Sequence, residues 1–176
     1  MREFNLGKIA NLRLIAEPSV IVGTIVLWSL LSAVGVWLLV FPPGQAVFGG
    51  LIATLMYWVS DIVHHLGHAF AARRTGYPMI GIRFGKYLLG TSIYPADEES
   101  LPAAIHIRRA LGGPTGSLLF TLATGAIALA LYPIGGVLWW LALFVCLNNF
   151  VGFTLGAFLP LGFTDGSTLL EWWGKR

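Results

Sequence analysis

Charge is scarce in this sequence: 8 Asp and Glu and 11 Lys and Arg among 176 residues, 11% in all. A soluble domain carries about a quarter charged residues, so a soluble globular class is excluded. Cysteine is almost absent as well. The single Cys146 lies in an apolar run, which rules out an intrachain disulfide and a cysteine-based metal cluster. No Cys-x-x-Cys-His stretch is present for covalent haem attachment. The eleven basic residues form no stripe, which excludes a nucleic-acid-binding surface. What the chain has instead is apolar: 56% of its residues are hydrophobic and 13% aromatic, with a mean hydropathy of +0.77. This is the composition of a membrane protein.

Met1 to Pro18 mixes Arg2, Lys8, Arg13, Glu3 and Glu17 with apolar residues and reads as a short amphipathic helix on the membrane surface. Ser19 to Phe41 then runs for 23 residues without a charge, enough to cross the hydrocarbon. A signal peptide would have a shorter apolar region and a cleavage site, so this span reads as a retained anchor. Pro42-Pro43-Gly44 turns the chain into a second span, about Val47 to Ala72, which exits at Arg73-Arg74. From Gly76 to Pro95, apolar and β-branched residues broken by Gly85-Lys86 predict a two-stranded hairpin at the membrane surface. Asp97, Glu98 and Glu99 read as a solvated loop or an acidic first helical turn, and His106 as a juxtamembrane surface residue. A third span, about Ala110 to Tyr132, opens with Gly112-Gly113-Pro114-Thr-Gly116, small residues that let helices approach closely. A fourth, Val137 to about Leu159, contains Asn148-Asn149 and precedes a tail with Asp165-Gly166 and Trp172-Trp173. The fold expected is an all-α polytopic membrane protein with about four transmembrane helices and a small juxtamembrane β-hairpin. Four crossings put all eleven basic residues on one side, expected to be cytoplasmic together with both termini.

The second span carries Asp61-Ile-Val-His64-His65-Leu-Gly-His68 in its latter half. Ionisable groups at membrane depth are expensive unless something engages them. His64 and His68 lie about 40° apart on one helix face, and Asp61 and His65 form a second i,i+4 pair within the same arc of about 100°. His-x-x-x-His is how one helix offers two nitrogens to a metal. Buried histidines can instead be neutral and hydrogen-bonded to one another or to Asp61. Asp165 returns at the same end of the bundle, where antiparallel packing brings it to the histidine face. Two imidazoles and one carboxylate with an open position make a zinc arrangement; the plainer role for Asp165 is to turn the chain with Gly166.

At these residues the chain resembles the site-2 protease family, intramembrane zinc metalloproteases of peptidase family M50. That family carries His-Glu-x-x-His on a core helix, followed by small residues and a basic-Gly element. His64-His65-Leu-Gly-His68-Ala-Phe-Ala-Ala-Arg73-Arg74-Thr-Gly76 follows this at every point but one. Gly113-Pro114 matches the opening of a later family helix, and Leu159-Pro160-Leu-Gly-Phe-Thr-Asp165-Gly166 stands where the family has a Pro-rich, Leu-Asp-Gly-type motif. The resemblance covers roughly Val47 to Thr168. It implies a three-helix core within residues 46–176, with residues 1–45 adding an amphipathic segment and one helix. It further implies Zn2+ on His64, His68 and Asp165. The family's glutamate activates water, and here that position is His65, with Asp61 one turn earlier to orient it.

The leading expectation is therefore a proteolytically inactive relative that serves as a structural or assembly subunit among other integral membrane proteins of a prokaryotic cell membrane. The first alternative is an intramembrane zinc metalloprotease that cleaves transmembrane peptides, with His65 or Asp61 handling the proton. The second is a subunit that binds a haem or chlorophyll-type pigment through histidine.

Overall fold

The computed structural model describes residues 3–85, 88–98 and 100–175; Arg2, Lys86, Glu99 and Arg176, four of the charges read above, lie outside the described residues. Among the described residues, four helical stretches are long and apolar enough to cross a membrane. They are α1 (Ser19–Trp37), α2 (Pro43–Arg74), α3 (Ala103–Leu131) and the continuous run Gly136–Phe158. The last begins as α4 (Gly136–Leu147), loosens into a π-helix over Asn148–Leu155, and ends in a 3-10 turn, Gly156–Phe158. A short helix, α5 (Asp165–Trp172), closes the fold. Proline punctuates these elements, at Pro42-Pro43 as the sequence suggested and at Pro102, where α3 starts earlier than the expected Ala110. Pro42 and Pro102 precede the first residues of α2 and α3 in extended conformation, and a Pro at N1 of α2 surrenders no needed N–H. With 32 residues, α2 is about 48 Å long against a hydrocarbon thickness of about 30 Å. Its length exceeds that thickness, and its last turn carries Arg73 and Arg74, residues that favour the aqueous side.

The N-terminal segment departs from the expected amphipathic helix. Phe4–Ile9 and Leu12–Ala16 are antiparallel strands, β1 and β2, joined where Ala10 and Asn11 both take positive φ, 48° and 68°. The expected second hairpin is present as β3 (Gly81–Gly85) and β4 (Leu89–Ile93). Parallel pairing of β2 with β3 joins the two hairpins into one four-stranded sheet in the order β1-β2-β3-β4. Since β2 runs into α1 and β3 follows α2, this pairing holds the start of α1 and the end of α2 at the same end of the bundle. Leu12, Ala16, Ile82 and Phe84 on the sheet bury against Ala72 and Met79, with Trp58, Ile62, Leu66 and Ala69 of α2 packed around them.

The helices meet through small residues. Gly112 of α3 packs on Gly67 of α2 so closely that a Cβ on Gly112 would lie 2.6 Å from the Gly67 carbonyl oxygen and from Ala71 Cβ. Such contact is how apolar helices associate where the hydrophobic effect between them is absent. It brings the Arg109–Gly113 turn of α3 directly against the histidines. At the far end of the bundle, α1, α2 and α4 leave an apolar cleft of about 220 Å³ floored by Ala46, Gly49, Gly50 and Ala53. Among the described residues, no ionisable side chain lines it.

Candidate metal centre

One face of α2 carries Asp61, His64, His65 and His68, all buried. The structure draws His64 and His68 together with Asp165, the first residue of α5. His64 Nε2 lies 3.1 Å from His68 Nε2. Asp165 Oδ2 is 3.3 Å from His64 Nε2, and Asp165 Oδ1 is 3.3 Å from His68 Nε2. A tetrahedral zinc ion with ligands at about 2.0–2.1 Å requires them about 3.3–3.4 Å apart. The donor triangle has the size of one face of that tetrahedron.

The nitrogens behind this triangle are already engaged. His68 Nδ1 lies 2.8 Å from the Arg109 carbonyl oxygen, which can only accept, so Nδ1 carries the proton and Nε2 presents a lone pair. The Gly113 N–H also points at Nδ1, 3.2 Å away, but the shorter contact to an obligate acceptor fixes the tautomer. One residue on, Pro114 has no N–H to give and leaves the Ala110 carbonyl without its ladder donor. His64 Nδ1 is 3.0 Å from Ser117 Oγ, a hydroxyl fully enclosed between α2 and α3. Partners of this kind hold metal-binding imidazoles in one orientation. The cluster thus sets two imidazole nitrogens and a carboxylate against one another, and a cation held by His64, His68 and Asp165 would relieve the repulsion between their lone pairs. Space is kept by Gly113, whose Cβ would collide with Nε2 of both His64 and His68. Asp165 meets both Nε2 atoms through its two carboxyl oxygens, and a metal takes such a group as the carboxylate.

His65 and Asp61 stand beside this triangle, outside it. His65 Nδ1 is 2.8 Å from the Asp61 carbonyl oxygen and 3.4 Å from Asp61 Oδ1. Nδ1–H therefore donates within α2, leaving Nε2 as an acceptor. The pair is sealed on one side by β4: a Cβ on Gly90 would lie 2.6 Å from Asp61 Oδ2, and that oxygen has no hydrogen-bond partner among the described residues. One turn earlier, Tyr57 donates from its hydroxyl to the Leu88 carbonyl at 2.5 Å and ties the hairpin to α2. Asp61, His64, His65, His68 and Asp165 all line a single cavity of about 400 Å³.

Several groups in the cavity wall escaped the sequence reading. His106, expected at the surface, is half-buried in the wall and stacks on Trp172. Glu98 forms a bidentate pair with the guanidinium of Arg109, at 2.8 Å and 2.5 Å. Hydrogen bonding from Arg109 holds its carboxyl below the ordinary range. Arg109 also donates to the Tyr77 carbonyl at 2.6 Å and stacks 4.1 Å over the Tyr94 ring. Asn149 turns away from the cluster, donating 2.8 Å bonds to Ser60 Oγ and the Val145 carbonyl. The carbonyl of Arg109 carries no sequence signal. Ser117 had one, since it lies on the small-residue stripe of α3 facing α2.

No protein-family model and no curated protein matches this sequence. Among solved structures, the site-2 protease from Methanocaldococcus jannaschii shares the fold with a TM-score of 0.64, over 96% of this chain and 70% of that one. The two sequences are 16% identical, so the likeness establishes the fold alone.

Proposed function

We propose that this chain is a divergent membrane-embedded metalloprotein of the site-2 protease kind, in which His64, His68 and Asp165 hold zinc and His65 with Asp61 replaces the missing glutamate. The observation that carries this reading is the donor triangle of 3.1, 3.3 and 3.3 Å opening on the cavity that His65 and Asp61 also line. Zinc bound there would supply Lewis acidity to a water and a carbonyl. His65, anchored through Nδ1, offers Nε2 to accept a proton from the attacking water and return it to the leaving amine as the peptide C–N bond breaks. Asp61 stabilises the imidazolium formed in between, the part that a buried aspartate plays beside a catalytic histidine. The basic end of the bundle, with Arg73, Arg74, Arg83 and Arg108, would face the cytoplasm.

A second reading, in which the same fold serves as a partner-binding subunit without turnover, draws on the burial of the pair. His65 is 5% and Asp61 2% exposed, so His65 meets substrate only if β4 yields. One experiment separates the two: zinc content and cleavage of a transmembrane peptide reporter, in detergent, for the wild type, His65→Ala and His65→Glu. Cleavage by the wild type that is lost in His65→Ala, with zinc retained, is the expected outcome. An inert wild type whose His65→Glu variant cleaves would favour the non-catalytic subunit. Protein purified without chelator that holds no stoichiometric metal would overturn the zinc reading.

A further inference from the structure

We propose that His106 and Trp172 form an aromatic clamp that sets α5, and through it Asp165, against the histidines; this rests on the metal reading above. α5 has only eight residues, far too few for a helix to hold itself, so contacts with the rest of the fold must set its position. Asp165 and Trp172 are its first and last residues, seven apart and therefore on one face. At the first end, Asp165 meets both Nε2 atoms at 3.3 Å. There Gly166 packs so closely on the turn before it that a Cβ would collide with the Phe158 carbonyl. At the last end, the Trp172 ring lies on the His106 imidazole with centroids 4.1 Å apart and planes 8° from parallel. Lys175 Nζ sits 4.7 Å from the same indole ring.

His106 stands one turn before Arg109 on α3, the residue whose carbonyl orients His68. One turn of α3 thus fixes a nitrogen donor directly and the carboxylate donor through the far end of α5. The imidazole of His106 acts here as a flat ring against the Trp172 indole, and both clamp residues are positioning residues. A stacked aromatic pair is worth enough to change an equilibrium by roughly two- to tenfold. That sets the size of the expected effect.

The test uses the full chain in detergent, with zinc affinity read by competition against a chromophoric chelator and hydrogen exchange followed over residues 159–173. His106→Ala is expected to weaken zinc by about five- to tenfold and to speed exchange across α5 in metal-free protein. His106→Phe keeps a stacking ring and is expected to stay within about twofold of the wild type. Trp172→Ala reads the same contact from the other side should His106→Ala fold poorly. Unchanged affinity and exchange in the alanine variants would overturn the clamp while leaving the metal site standing. Equal losses in His106→Phe and His106→Ala would overturn it too, since the imidazole itself would then be what matters. If the wild type binds no zinc, the metal reading fails, and the exchange data on the metal-free protein still decide the clamp.

Discussion

The two side-chain pairs on the polar face of α2, His64 with His68 and His65 with Asp61, are built in opposite ways. His64 and His68 each spend Nδ1 on α3, on Ser117 and on the Arg109 carbonyl, and turn Nε2 towards a carboxylate delivered by α5. His65 spends Nδ1 on its own helix, at Asp61, and β4 rather than α5 closes over it. The first pair exists only when three elements are in register. The second is complete within one helix and needs no neighbour to form. A donor set that depends on tertiary order is suited to a metal, whose geometry has to be imposed from several directions. An imidazole backed by a carboxylate on the same turn is suited to carrying a proton.

The sharpest way to break the first pair is to fill the space between its nitrogens. Gly113→Ala would put a methyl group against both Nε2 atoms while improving the helix propensity of α3. The expected result is zinc falling from about one per chain to none, with helical circular dichroism retained and the His65–Asp61 pair untouched. His68→Ala removes a donor outright and is expected to do the same. Metal analysis of the two variants beside the wild type checks both, and a Gly113→Ala protein that keeps its zinc would show that the donors do not converge as the distances imply.

The comparison also explains what could be read in advance. The histidine face followed from helical spacing alone, because α2 is an unbroken α-helix through His64 to His68 and its period is fixed. Bringing Asp165 to it needed only the alternation of four spans. The sheet was half legible. The β3–β4 hairpin carries Gly85 at its turn, whereas the β1–β2 turn places Ala10 and Asn11 at positive φ, without the Asn-Gly or Asp-Gly pair that usually marks such a turn. Its mixed charges and apolar residues suited an amphipathic helix equally well. The parallel pairing of β2 with β3 joins segments separated by two membrane spans, and no local pattern encodes it. The π-helix over Asn148–Leu155 and the stack of His106 on Trp172 likewise arise from packing between elements rather than from spacing within one.

Ser117 tests the first pair more gently. Its hydroxyl orients His64 without touching the metal position, so Ser117→Ala leaves three donors in place and loosens one. Loss of such a partner weakens metal by about 10- to 100-fold. The expected outcome is a protein that still loads zinc at saturation but releases it to a weaker chelator than the wild type does. His65 should be indifferent to this change, and any effect of Ser117→Ala on the pH dependence of cleavage at saturating zinc would show that the two pairs are coupled.

The smallest expected effect lies at the rim, where Glu98 is locked to Arg109 above both pairs. Its carboxyl is held below its ordinary value of 4.5 by hydrogen bonding from Arg109. A depressed carboxylate contributes stability that is complete above the unfolded-state value and is lost as pH falls through the folded one. The wild type should therefore lose thermal stability below about pH 4.5 more steeply than Glu98→Gln, whose amide does not titrate, while the two differ by a nearly constant amount at neutral pH. Because Arg109 also carries the carbonyl that orients His68, Glu98→Gln should weaken zinc slightly and leave His65 alone. Melting curves across pH 3.5 to 7, with and without zinc, check both parts. A Glu98→Gln melting profile parallel to that of the wild type through the acid range would mean that the ion pair adds nothing to the fold, and that the backbone of α3 holds His68 without help from the rim.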